Sequence, residues 1–143
     1  MSKSSEWVDV VGRAIREATV ALPADVERAL HEALAREPSE LGRLHLETLL
    51  ENARVAREEG LPICQDTGTP VFFVRAGAES PWLADIEAGL VEATRAATAA
   101  IPLRPSAIHP LTDHNVGNVG RGVPVIDWEI VPGRDVEITY VAK

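Results

Sequence analysis

The chain has 143 residues, enough for one ordinary domain with a buried core. Apolar residues make up 45% and charged residues 25%, and 22 acidic against 14 basic side chains leave a net charge of -8, which excludes a chain disordered throughout and a basic nucleic-acid footprint. No apolar run of about 18 residues is available to span a membrane, no apolar segment follows Met1 as a secretory leader requires, and a single cysteine excludes an internal disulfide, so a reducing, cytoplasmic setting is expected.

The first sixty residues read as helix. Val8, Val11, Ile15, Ala18 and Leu22 recur at helical spacing, with Ser5 as a candidate N-cap. Pro23 interrupts, and Val26, Leu30, Ala33 and Leu34 mark a second helix that ends at Glu37-Pro38. Ser39 can cap a third, whose apolar positions are Leu46, Leu49, Leu50, Ala53 and Ala56 and whose stop is Gly60. Residues 61–70 hold too much Pro and Gly for a helix and lead into Val71-Phe72-Phe73-Val74, a short buried strand. Ser80-Pro81 opens a fourth helix with Leu83, Ile86, Leu90, Ala93 or Thr94, and Ala97 on its apolar face. Residues 101–125 form a long loop with four prolines and three glycines, and loops of that length in a compact domain are usually functional or flexible. Ile126, Trp128 and Ile130 then alternate with Asp127 and Glu129; Pro132-Gly133-Arg134-Asp135 is a turn; and Val136, Ile138 and Tyr140 alternate again, which predicts an antiparallel hairpin. The expected fold is therefore mixed α/β (α+β): a helical half, then a small, mostly antiparallel sheet packed by helices. The apolar stripes exceed what so few strands cover, so a further domain or subunit is expected on some of them.

Three places could carry chemistry. Cys64-Gln65-Asp66-Thr67-Gly68-Thr69 puts a thiol, an amide and a carboxylate in one loop between a helix and a strand. Thiolate is a nucleophile and a soft metal ligand, the carboxylate can move a proton, and Gly68 allows close backbone approach. The residue types alone favour the plainer alternative, a buried and inert cysteine before a turn. Arg104, between Pro102 and Pro105, is a pre-positioned fork for a carboxylate or simply a surface arginine. His109, Asp113 and His114 could join Cys64 on a single metal ion, although Pro110 prevents a regular helical pair and polar contacts that order the loop are the commoner arrangement. The glycines at 117, 120 and 122 match neither the dinucleotide fingerprint nor the P-loop.

Pro62-Ile63-Cys64-Gln65-Asp66-Thr67-Gly68-Thr69 resembles the signature of the iron–sulfur class I fumarate hydratases and the related tartrate dehydratase alpha subunits. Leu103-Arg104-Pro105-Ser106, His109-Pro110-Leu111-Thr112 with Asn115, and Val136 to Lys143 resemble later blocks of that family, in the same order. The resemblance implies a hydro-lyase of the tricarboxylic acid cycle type, with a [4Fe–4S] cluster held by three cysteines and an iron left open as a Lewis acid. It implies Cys64 as a cluster ligand, Gln65 and Asp66 as substrate contacts with Asp66 assisting proton movement, and Arg104 as the partner of a carboxylate on a C4 dicarboxylic acid of the fumarate/malate type. The alternatives are a tartrate dehydratase alpha subunit, or a non-catalytic carboxylate-binding or assembly module of the same fold. Two departures stand out. The family commonly has Asn-Thr-Gly-Asp-Asn where Asn115-Val116-Gly117-Asn118-Val119 lacks the Asp, and the two further cysteines a cluster needs do not occur in the chain. Residues 1–143 are therefore expected to be the N-terminal part of an alpha region, cut before its remaining ligands and inactive alone. The expected partners are the rest of that region and a beta domain or subunit, in a homo- or hetero-oligomer without nucleic acid or membrane.

Overall fold

A computed structural model describes residues 3–64 and 68–142, with side chains from residue 7 onward. Four helices and three strands follow in the order α1 (Lys3–Val20), α2 (Ala24–Arg36), α3 (Glu40–Glu59), β1 (Pro70–Gly77), α4 (Ile86–Ala100), β2 (Val125–Val131) and β3 (Val136–Ala142). The α+β class and the helical first half are as the sequence predicts.

Both ends of α3 sit where their capping chemistry puts them. The Gly42 N–H donates to the Ser39 hydroxyl at the start of α3, and Gly60 takes the left-handed conformation at its end with φ 69°. Two expected starts move. α1 begins at Lys3, so Ser5 lies inside it. α4 begins at Ile86, because residues 81–85 form turns in which the Leu83 and Asp85 N–H groups return to the Ser80 and Trp82 carbonyls. The apolar face of α4 is as predicted: Ile86, Leu90, Ala93, Thr94 and Ala97 are all buried.

The sheet order is β2-β1-β3, with β1 parallel to β2 and antiparallel to β3. The predicted hairpin is thus corrected. β2 and β3 run in opposite directions and are joined by a tight turn, but β1 lies between them and takes both ladders. The turn at residues 132–135 crosses the end of β1. Gly77, Ala78 and Glu79 donate their N–H groups to the carbonyls of Asp135, Val131 and Gly133, at 2.8, 2.8 and 2.9 Å. A Cβ at Gly77 would run into the Gly133 carbonyl and lie 2.6 Å from the Arg134 nitrogen, so only glycine fits beneath the crossing.

β1, α4 and β2 form a parallel β–α–β unit in which α4 returns antiparallel to the strands. α1 lies beside α4, with Trp7 over Gly89 and edge-on to Trp82. Together α1 and α4 cover one face of the sheet. The core there joins Val11 and Ile15 to Phe72, Val74 and Ala76 and to Ile86, Leu90, Ala93 and Ala97, with Tyr140 against Phe72 at its margin. The other face stays open: Phe73 and Arg75 stand on it with Asp127, Glu129, Glu137 and Thr139. The α2–α3 hairpin hangs beside this layer. Nothing in α2 is fully buried, only Ala53 and Ala56 are in α3, and Leu41, Leu44 and Leu49 face solvent. Leu49 thus departs from its expected inward position. No helix among the described residues is long and apolar enough to cross a membrane.

Candidate functional site

The topology separates the two ends of the sheet. At the carboxyl ends of β1 and β2 the 132–135 turn closes over Gly77. At the amino ends, two connections converge. The segment after α3 enters β1 there. The 101–124 loop leaves α4 there, because α4 runs antiparallel to β1, and feeds β2 there, with Val125 opposite Val71. Cys64 and Arg104 therefore sit on loops at the same end of the molecule.

Cys64 is exposed, which corrects the expectation of a buried, inert thiol. Its backbone approach is fixed on both sides of Ile63, whose N–H donates to the Thr19 carbonyl at the end of α1 while its carbonyl accepts from the Asn52 side chain of α3 at 2.8 Å. Gln65 and Asp66 lie outside the described residues. Arg104 is exposed and follows Ile101 and Leu103, which anchor the turn out of α4 in the core.

The loop beyond Arg104 is held by two asparagines that the residue types alone did not single out. Asn118 is 1% exposed, and its backbone is left-handed with φ 54°. Its amide oxygen accepts from the Ser106 N–H at 2.8 Å, the Ala107 N–H at 3.3 Å and the Asn115 side-chain nitrogen at 2.8 Å. Its amide nitrogen donates to the Arg104 carbonyl at 3.1 Å. The Asn115 oxygen accepts from the N–H groups of Gly117 and Asn118, both at 2.7 Å. The legible signal was a Gly-Asn step, since asparagine tolerates the left-handed region and bonds its own loop.

The histidines do something plainer. His109 accepts the Leu111 N–H on its Nδ1 and its backbone pairs with His114, closing a small turn. They border a cleft of ≈ 530 Å³ with Pro110, Thr112, Arg121 and Val123. Among the described residues no three His, Cys, Asp or Glu side chains come together, so the set His109, Asp113, His114 and Cys64 is not assembled.

Residues 8–143 match the family model described as Fumarate hydratase (Fumerase). The chain belongs to that family. It is 40% identical over 137 residues to a Methanocaldococcus jannaschii protein provisionally named as an L(+)-tartrate dehydratase subunit alpha, covering 94% of this chain and 48% of the relative. It is 38% identical over 124 residues to the L(+)-tartrate dehydratase subunit alpha of Escherichia coli strain UTI89, covering 85% and 41%, and 36% identical over 115 residues to that of strain K12, covering 80% and 38%. The Fumerase-family chain thus spans less than half the length of these relatives. Of its own residues, one exposed thiol on a loop at the open end suits a single ligand of a larger metal group, because thiolate is a soft donor and its position is reachable. The 143 residues contain no second cysteine.

Proposed function

We propose that the complete protein to which these residues belong is a [4Fe–4S]-dependent hydro-lyase that reversibly adds or removes water on a C4 dicarboxylic acid. What carries the reading is the family match across residues 8–143 together with an exposed Cys64 in the Cys-Gln-Asp segment. Cys64 is one cluster ligand, and the other two come from beyond these residues. When bound, the cluster supplies a Lewis-acidic iron for the substrate hydroxyl. The chain's own groups do the rest of the work assigned to this half. The Arg104 guanidinium grips one substrate carboxylate through two parallel N–H bonds and fixes its orientation. The Gln65 amide holds a substrate oxygen, and Asp66 accepts or returns a proton there. The net charge of -8 repels a dianion at long range, so capture falls to local cations such as Arg104.

The substrate is proposed as fumarate/malate or L(+)-tartrate. The second is favoured by the names of the relatives, which also point to a beta subunit as partner. The test uses the complete protein with its partner, purified without oxygen. Hydration of fumarate to malate and dehydration of L(+)-tartrate to oxaloacetate are assayed beside iron and sulfide content. Cys64→Ala is expected to empty the cluster and cut turnover by about a hundredfold or more. Full turnover by Cys64→Ala, or by residues 1–143 alone, sinks the proposal. Dicarboxylate binding with no turnover and no iron identifies a binding module of the same fold instead.

A further inference from the structure

We infer that Asn118 is a positioning residue for substrate binding, acting through Arg104. The inference rests on the reading of Arg104 as the carboxylate partner.

The argument is one of geometry and donor count. Residues 101–107 leave α4 without regular structure, and two prolines remove N–H groups that could have tied them down. Among the described residues, one buried side chain reaches the backbone of three residues of this stretch, Arg104, Ser106 and Ala107. A carboxamide accepts through its oxygen and donates through its nitrogen, and Asn118 uses both: the oxygen takes the Ser106 and Ala107 N–H groups while the nitrogen donates to the Arg104 carbonyl. It reaches across fourteen residues of chain, so the bond to Arg104 is not a consequence of local turn geometry. Asn115 adds a second layer, donating to the Asn118 oxygen and fixing the Gly117–Asn118 backbone. Gly117 lies against α4, where a Cβ would come within 2.8 Å of Arg95 Cγ. The clamp is thereby referenced to the same helix that launches Arg104. Because the Arg104 side chain is long and rotamer-rich, a defined starting point for its backbone decides how much freedom it loses on gripping a carboxylate.

The experiment is a double-mutant cycle on the complete enzyme with its partner subunit. Its readout is the dissociation constant for succinate, an unreactive C4 dicarboxylate, measured by calorimetry beside iron content and melting temperature. Asn118→Asp keeps the acceptor and removes the donor to Arg104. It is expected to weaken succinate binding about tenfold with the iron content retained. Arg104→Ala is expected to weaken it more. The deciding term is the combination: on the Arg104→Ala background, Asn118→Asp adds no further loss, because its effect passes through Arg104. A purely structural role adds its loss on either background and overturns the inference. If Asn118→Asp does not assemble, Asn118→Gly, which suits the left-handed backbone, is read in the same cycle. Failure of both to assemble also overturns it, since Asn118 then serves the fold as a whole. The Arg104 reading fails separately: Arg104→Ala binding succinate as the wild type does removes both ideas, as does a wild type that binds none. A tight wild type, a weakened Arg104→Ala and an unchanged Asn118→Asp remove only the role of Asn118.

Discussion

Tyr140 is the one tyrosine in the chain, and its ring lies 5.2 Å from that of Phe72 at the margin of the core. Burial disfavours the phenolate and raises the Tyr140 pKa above its ordinary value of 10.0. The folded state therefore holds the phenol proton more tightly than the unfolded one. The associated stability is complete below the unfolded pKa and is lost as pH rises through the folded one. Following phenolate absorbance should give a midpoint above 10 in the native chain and a return to about 10 in denaturant. A native midpoint at the ordinary value would mean that the ring is solvated. Tyr140→Phe should remove this alkaline loss while keeping the contact with Phe72. The residue scale is also where the candidate site was hardest to read. Cys64 and Arg104 stood out by chemistry and by resemblance, whereas Asn118 did not. Its importance lies in four hydrogen bonds to residues up to fourteen positions away, and no local pattern encodes those.

Among the elements, β1 differs most from its expected role. Alternation in β2 and β3 correctly told which residues share a face, because that periodicity is a property of each strand by itself. It did not tell the partner. A short turn between two alternating runs ordinarily closes a hairpin, but here it is stretched over a third strand that arrives from earlier in the chain. The trace of this in the sequence is Gly77, at the end of an apolar strand, where a turn of its own, closed by the Ser80 N–H on the Gly77 carbonyl, hides the crossing above it. Helix ends were more legible where a cap acts locally, as at Ser39 and Gly60, than at Ser80-Pro81, where a turn comes first and α4 follows five residues on. The crossing makes a direct prediction. Gly77→Ala sets a methyl group against the backbone of Gly133 and Arg134, which cannot move aside as a side chain could. A loss of about 3 kcal/mol in denaturant unfolding is expected, at the upper end of overpacking costs. Gly12→Ala, where a Cβ meets nothing within 4 Å, is the control and should stabilise α1 slightly. Equal effects at the two positions would show that the turn does not cross tightly.

Across the whole molecule, stability is unevenly spread. The β1–α4–α1 layer encloses the buried core, while the α2–α3 hairpin is joined to it mainly through Ala53, Ala56 and the Asn52–Ile63 hydrogen bond. Within the hairpin, Arg57 reaches back to Glu27 at 2.6 Å across thirty positions, and this contact holds the Glu27 carboxyl below its usual range. The Leu41, Leu44 and Leu49 side chains on α3 and Phe73 on the open sheet face remain in solvent, Phe73 at 48% exposure. A layer with one covered face and a loosely attached hairpin should open in steps rather than all at once. Amide exchange in the 143-residue chain is accordingly expected to be slowest in β1 and α4 and fastest in α2. The pH dependence follows from Glu27. Its carboxyl binds a proton less readily folded than unfolded, so its contribution is present above the ordinary carboxylate pKa and is lost as pH falls through the lowered folded value. Exchange in α2, corrected for its intrinsic pH dependence, should therefore accelerate relative to α4 as the solution is acidified through that range. Arg57→Met should abolish the acceleration, and added salt should blunt it because both groups touch solvent. Uniform protection across α2, β1 and α4 at neutral pH would instead mean that the hairpin and the sheet layer form one cooperative unit, with the few contacts of Ala53 and Ala56 sufficient to couple them.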